Sequence, residues 1–204
     1  NHGGILNSGV CWWHSRFQRN ALYLTIFKSG LERPDQNEVI KIIKKIRAAR
    51  EVVTIPGYRN FAEFSYDNEA LIQRELEKWQ KGDGIIRFAW VDGLTGRPVV
   101  RAGKLKSMMD KMYDYVEREG NIAYNKLQIR GPDAHSWLVV HMRKAYDGYD
   151  LEILDSNDPR QTNTYRYTNG DTNLNYYGMG IVPYLEKDHD LEVIKKVIAR
   201  KCES

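Results

Sequence analysis

Side chains of the three kinds that carry out acyl transfer are spread along the chain. Cys11 is one of only two cysteines, His135 opens an apolar run, and Asp155 and Asn157 follow the next apolar run. A thiolate attacks a carbonyl carbon, an imidazole moves the proton, and a carboxylate or amide holds the imidazole in one tautomer. We therefore predict nucleophilic catalysis by a thiol, provided that the fold brings these residues together.

Cys11 stands where an extended segment turns into a predicted helix. The chain from Trp12 to about Phe27 has no Gly or Pro, and apolar residues recur there at helical spacing. A thiol in the first turn of a helix faces unpaired backbone N–H groups and the positive end of the dipole, and both favour the thiolate. A cysteine beside two tryptophans is also a common core residue, so its role depends on its partners.

His135 is the histidine best placed to act as the base. It follows a Gly-Pro-Asp-Ala turn and opens a predicted strand over 136–142. The end of a strand is rigid and can face a cleft. His141 would lie about 20 Å further along the same strand, so only one of the two can serve. His14, one helical turn after Cys11, is the alternative base.

The group that orients His135 is expected at the end of the next strand. That strand, Leu151 to Leu154, leads directly into Asp155-Ser156-Asn157. In an antiparallel hairpin the end of the second strand returns beside the start of the first. We therefore predict that Asp155 contacts His135, with Asn157 as the alternative third member. Taken alone, the same run is typical of an ordinary turn.

The remaining pattern predicts helices first and strands later. Helices are predicted over 12–27, 36–50, 67–81, 104–119 and 188–200, with Asp67 as an N-cap and Gly82 as a helix end. Strands are predicted over 85–91, 122–129, 136–142, 151–154, 164–167 and 179–184. This order indicates an α+β fold in one domain, 1–204, with a helical half to about residue 120 and a mostly antiparallel sheet over 121–204.

Composition and charge make several other classes of function less favoured. The net charge is only +4, and the charged residues are interspersed along the 204-residue chain. This pattern does not favour a nucleic-acid partner. No apolar run approaches the roughly 18 residues of a membrane helix. The glycines after residue 91 lack the spacing of a phosphate-binding loop. The chain begins with Asn1 and not Met, so we expect a secreted or periplasmic protein, with the cytoplasm as the alternative.

The order Cys, His, Asp or Asn is similar to that of the papain-like cysteine peptidases. The segment from Ser8 to Trp12 resembles the family signature Cys-Gly-Ser/Ala-Cys-Trp/Tyr, with Ser8 in place of the disulfide cysteine and Val10 in place of the small residue. His135 lies 124 residues beyond Cys11, slightly under the usual interval of roughly 130 to 150. The resemblance covers the architecture and about a dozen residues in detail.

This resemblance implies a peptidase that forms a thioacyl-enzyme on Cys11, with His135 as base and acid. Its substrate would be a protein or peptide, and no metal or cofactor is required. Papain-like enzymes usually bind the oxyanion with a Gln six residues before the nucleophile, a position that is Ile5 here. The expected oxyanion donors are therefore the Asn7 amide and the backbone N–H of Cys11. The aromatic residues between Tyr58 and Tyr66 are candidates for the wall of the substrate cleft.

Two other interpretations stay open. His135-Ser136-Trp137 resembles the His-x-Trp of transglutaminase-like acyltransferases, in which the acyl group passes to an amine instead of water. An amidase with the same residues belongs to this group. The interpretation from a different class is a non-catalytic protein that keeps the papain fold and binds an acidic partner through the basic face of the helix from Lys41 to Arg50.

Overall fold

The computed structural model describes residues 11–87, 97–129, 134–158, 161–186 and 189–203. It divides the chain into two compact units. The first unit consists of Asn1–Ile85 with Lys187–Ser204, and the second unit is Ile86–Glu186. Helices and strands are both abundant in the described part of the chain, which agrees with a mixed α and β class.

In chain order the elements are α1 (Cys11–Leu24), β1 (Thr25–Lys28), α2 (Gln36–Ala48), β2 (Val53–Pro56), α3 (Phe61–Asp67), α4 (Glu69–Arg87), α5 (Ala102–Tyr113), a π-helical turn (Asp114–Arg118), β3 (Ala123–Gln128), β4 (Ala134–Ala145), β5 (Gly148–Asp155), β6 (Asn163–Thr168), β7 (Leu174–Tyr176), β8 (Met179–Leu185) and α6 (His189–Cys202).

The first unit holds α1 in place from two sides. One side packs into the main core of the unit, where Phe17 and Ala21 meet the apolar stripe of α2. At its end Leu24 packs with Ile194 and Val197 of α6. Strands β1 and β2 pair in parallel, and α2 is the connection between them. The helix that begins at Cys11 is therefore a fixed element of this unit.

A capping box defines the start of α2. The Asp35 side chain accepts a hydrogen bond from the backbone N–H of Glu38 at 2.8 Å, and the Glu38 carboxylate accepts one from the Asp35 N–H at 3.0 Å. Two of the unpaired N–H groups at this helix end are satisfied in this way. The predicted helix over 36–50 is confirmed, although it ends at Ala48.

The second unit is a six-stranded antiparallel sheet with the order β6-β5-β4-β3-β8-β7. The outermost strands approach each other, because the rings of Tyr165 on β6 and Tyr176 on β7 lie 6.1 Å apart. The sheet is therefore curled almost into a barrel. Helix α5 adds Leu105, Met109 and Met112 to the core of this unit.

Several predicted boundaries in the first half of the chain are wrong. The first helix ends at Leu24, since Thr25–Lys28 is a strand paired with β2. Gly82 does not end α4, which continues to Arg87, so the predicted strand over 85–91 is wrong at residues 85–87. Residues 88–91 lie outside the described part. Gly within a helix costs only about 1 kcal/mol, which neighbouring residues can offset.

The stretch between Tyr58 and Tyr66 also differs from expectation. Helix α3 forms there, with the Asn60 side chain as its N-cap, and Asp67 is the last residue of this helix and not the N-cap of the next. Tyr58 and Phe64 are buried in the core of the first unit. The interpretation of these two rings as the wall of a cleft is therefore wrong.

Predictions for the second half agree better with the structure. Each of the strands predicted over 122–129, 136–142, 151–154, 164–167 and 179–184 exists as β3, β4, β5, β6 and β8. The three-residue strand β7 has no counterpart among the predicted strands. The helix predicted over 104–119 is α5 followed by the π-helical turn. The expected change from helical to sheet half near residue 120 falls inside the second unit, since α5 packs with the sheet.

Candidate active site

The pairing of β4 with β5 brings His135 to Asp155. The two strands are antiparallel, with Trp137 opposite Asp155. His135 lies two residues before Trp137 and therefore on the same face of β4. Its Nε2 is 2.7 Å from Oδ1 of Asp155. The contact predicted from the hairpin is present, and the catalytic role of the two residues stays a prediction.

Asp155 is held as an ionised carboxylate. Its side chain is almost fully buried, with 2% of the residue exposed. Burial acts to raise the pKa of Asp155, but the hydrogen bond and charge of His135 outweigh it, together with the Asn157 backbone N–H and the Tyr176 hydroxyl. The pKa therefore lies below its ordinary value. At neutral pH the carboxylate is available to orient an imidazole and to stabilise its protonated form.

Three donors point at this carboxylate. Besides His135, the backbone N–H of Asn157 donates to Oδ1 at 2.8 Å, and the Tyr176 hydroxyl donates to Oδ2 at 2.9 Å. Both carboxylate oxygens are thus engaged, and the Asp155 side chain is fixed against rotation. A fixed carboxylate fixes the imidazole plane in turn, which is what a base in acyl transfer needs.

Asn157, the alternative third member, has a different place in this network. Its Nδ2 donates to the Tyr176 hydroxyl oxygen at 3.1 Å and lies 3.4 Å from Nε2 of His135. When Nε2 carries the proton shared with Asp155, that nitrogen and the amide are both donors and do not attract each other. Asp155 is therefore the group that orients His135, and Asn157 supports it through Tyr176.

Tyr176 is the residue of the site that the sequence did not reveal. It is buried on β7, its ring stacks on the imidazole of His135 with 5.5 Å between centroids, and its hydroxyl contacts Asp155. Burial and the charge of Asp155 raise the pKa of Tyr176, so the hydroxyl remains a proton donor. The only signal in the sequence is the alternation Leu174-Asn175-Tyr176, followed by Tyr177-Gly178, which is too short to diagnose a strand.

Two further aromatic rings pack beside Tyr176, next to the His135–Asp155 pair. Trp137 is fully buried, with its ring 4.9 Å from that of Tyr165 and 5.8 Å from that of Tyr176. Burial raises the pKa of Tyr165 to about 12, so this phenol is neutral at physiological pH. An apolar lining keeps the local dielectric low, which strengthens the hydrogen bond between His135 and Asp155.

Cys11 is the first residue of α1, which confirms its predicted place in the first helical turn. It is a free, half-buried thiol and belongs to the first unit, whereas His135 and Asp155 belong to the second. Its approach to His135 stays a prediction. Asn7, the predicted oxyanion donor, lies outside the described residues, as does the signature segment from Ser8 to Val10.

The two alternative histidines have partners of their own. Nε2 of His14 lies 2.9 Å from Oε1 of Gln73, and burial lowers the pKa of His14 to about 4. Nδ1 of His141 lies 2.7 Å from Oε1 of Glu117. His135 is therefore the histidine with the environment expected of a catalytic base.

Within residues 11–87, 97–129, 134–158, 161–186 and 189–203 there is no group of three or more His, Cys, Asp or Glu side chains that could hold a metal ion. In the same ranges every helix is too short or too polar to cross a bilayer. Protein-family models, curated proteins and solved structures yield no match to this chain.

Proposed function

We propose that the protein is a papain-like cysteine peptidase in which Cys11 is the nucleophile and His135 the general base and acid. The observation that carries the proposal is the buried hydrogen bond of 2.7 Å between His135 and an ionised Asp155. Such a pair supplies a proton carrier of fixed tautomer and orientation. The free thiol in the first turn of α1 supplies a nucleophile of the matching type.

The proposed reaction has two steps. The Cys11 thiolate attacks the amide carbonyl, the C–S bond forms, and the C–N bond breaks as protonated His135 gives its proton to the leaving amine. Water then gives a proton to His135 and attacks the thioester, which breaks the C–S bond and restores the thiolate. Because Nε2 faces Asp155, the proton exchanged with substrate is carried by Nδ1. Asn7 and the Cys11 N–H are the proposed oxyanion donors.

Hydrolysis of quenched fluorescent peptides tests this proposal, with Cys202→Ala as the matched control because Cys202 is the second free thiol and is exposed. We expect Cys11→Ala to lower kcat/KM by at least about 10³-fold and His135→Ala by about 10²- to 10⁴-fold. Cys202→Ala should leave it unchanged. Peptide cleavage that survives in Cys11→Ala, or wild-type protein that cleaves no peptide, contradicts the proposal.

The same assay separates the other two interpretations. A transglutaminase-like acyltransferase would join an added primary amine to the acyl fragment in place of water, which mass spectrometry of the products detects. A non-catalytic binding protein would give neither product and would form no thioester on Cys11 with an activated acyl donor.

A further inference from the structure

The hairpin between β7 and β8 carries a tyrosine in an unfavourable backbone conformation. Tyr176 pairs with Met179, so Tyr177 and Gly178 form a two-residue turn with φ of 49° and 82°. Both values are positive, as a type I′ turn requires, and Asn-Gly is the preferred sequence there. Positive φ is disfavoured for a bulky residue such as Tyr. The turn is held closed by a hydrogen bond of 2.9 Å from the Gly178 N–H to the Asn175 side chain.

The Tyr177 side chain gains little burial in this position, since 67% of it remains exposed. Among the described residues, the only other non-glycine with positive φ is Ala49, which ends a helix in the ordinary left-handed manner. Burial alone therefore does not account for a tyrosine in the turn. Residues held in unfavourable backbone conformations are concentrated at functional sites.

The ring of Tyr177 lies beside the candidate active site. It meets the ring of Tyr176 edge to face, with 4.8 Å between centroids, and Tyr176 in turn stacks on His135. Met179, the first residue of β8, is also 45% exposed. The exposed Tyr177 ring is thus separated from His135 by a single side chain, that of Tyr176. Met179, a flexible apolar residue, lies opposite Tyr176 in the strand register.

The charge of the surrounding segment indicates what this surface binds. Residues 172–185 contain no Asp, Glu, Lys, Arg or His, in a chain of which 28% is charged. The segment itself therefore offers no charged side chain for an ion pair with a substrate group. Aromatic edges and methionine sulfur favour apolar and aromatic side chains.

We infer that Tyr177 is a specificity-determining residue, whose ring binds an apolar or aromatic side chain of the peptide close to the scissile bond. This inference rests on the proposed function, and Met179 completes the contact. Tyr177 takes no part in proton transfer, so its loss should act on substrate affinity and on preference. The chemistry on small, unselective substrates should not depend on it.

The test replaces Tyr177 by Asn, which removes the ring and suits the backbone of the turn. Tyr177→Phe keeps the ring without the hydroxyl. Tyr146→Asn is the matched control, because Tyr146 is a fully exposed tyrosine in another turn of the same unit. The probes are acetylated, amidated pentapeptides of alanine with Phe, Leu, Glu or Gly at the centre. Affinity is measured by calorimetry in the Cys11→Ala background, so no turnover is needed.

We expect Tyr177→Asn to weaken binding of the Phe and Leu peptides about 10-fold and to leave the Gly and Glu peptides within about twofold. Tyr177→Phe should retain most of the preference, and Tyr146→Asn should behave as the parent protein. The melting temperature of Tyr177→Asn should be equal to or above that of the parent, because the turn is relieved of strain. In active protein the change should appear in KM and not in kcat.

Equal affinities for all four peptides before and after the substitution overturn the inference, and so does the absence of binding in both proteins. A melting temperature that falls clearly in Tyr177→Asn shows instead that the ring serves folding. The proposed function fails on a different result, the absence of cleavage that depends on Cys11. Because binding is measured without Cys11, the two failures are distinguishable.

Discussion

His14 makes the stability of the first unit depend on pH. Nε2 of His14 lies 2.9 Å from the Gln73 side-chain oxygen, and the Gln73 amide donates to Glu77 at 2.8 Å. Because the amide nitrogen of Gln73 already donates to Glu77, the Gln73 oxygen is left to accept a hydrogen bond from Nε2–H of His14. Burial, opposed by this hydrogen bond, lowers the pKa of His14 from 6.5 to about 4. The folded protein therefore holds His14 neutral.

The size of the effect follows from these two pKa values. Since the folded state binds the proton less tightly, the stabilisation is fully present above pH 6.5 and is lost as the pH falls towards 4. At 1.36 kcal/mol for each unit of difference, the loss between about pH 8 and pH 5 is about 2 kcal/mol. This is an upper value, because the ring keeps some contact with water.

Urea unfolding at about pH 8 and pH 5, followed by tryptophan fluorescence, measures this loss. The matched variant is His14→Gln, whose amide can donate to Gln73 and does not titrate. We expect the free energy of unfolding of the wild type to fall by about 2 kcal/mol more than that of His14→Gln over this range. An equal fall in both proteins would refute the burial of a neutral His14. Carboxylates such as Asp155 contribute equally to the two proteins and cancel.

Three further predictions concern packing, helix propensity and the hydrogen-bond network. Gly148→Ala should lower the free energy of unfolding by about 2 kcal/mol or more, because the new methyl group would overlap the backbone carbonyl of Tyr167. Gly82→Ala, an exposed helical position with open space around it, should raise it by about 0.5 to 1 kcal/mol in the same urea assay. Tyr176→Phe removes a hydrogen bond to the Asp155 carboxylate, so the pKa of Asp155 should rise towards its ordinary value and stability should fall by about 1.5 to 3 kcal/mol. The low pKa of Asp155 contributes stability that is present above the unfolded pKa and is lost as the pH falls through the folded pKa. Because the two pKa values lie closer together in Tyr176→Phe, acidification should cost this variant less free energy of unfolding than the wild type. An equal loss in both proteins, in the same urea assay, would count against this prediction.

The sequence predicts best the contacts that depend on neighbouring strands. The meeting of His135 and Asp155 needs only one hairpin and the alternation of side chains along β4 and β5. Both properties are local, so chain order determines them. Tyr176 lies on β7, at one edge of the sheet, whereas β6 forms the other edge. Tyr176 reaches His135 and Asp155 only because the sheet curls. No pattern in the residues around Tyr176 predicts the curvature of the sheet.

The errors in the first half have a related cause. Strands β1 and β2 have four residues each, which is too short to show the alternation of a strand. They exist because they pair with each other, with α2 as the connection between them. The helix α4 runs through Gly82 because the cost of one glycine is small beside the packing of Leu76 and Trp79 into the core. In both places tertiary contacts outweigh local preference.

The most direct test of the central claim is the pH dependence of alkylation of Cys11 by iodoacetamide, followed by mass spectrometry, in the wild type and in His135→Ala. Cys202, exposed and free, is the internal reference. An ion pair between Cys11 and His135 predicts rapid alkylation of Cys11 at about pH 6, well below the ordinary thiol ionisation near pH 8.5, and loss of this reaction in the variant. If Cys11 reacts only as the pH rises, in the same way in both proteins, the pairing of this thiol with His135 is contradicted.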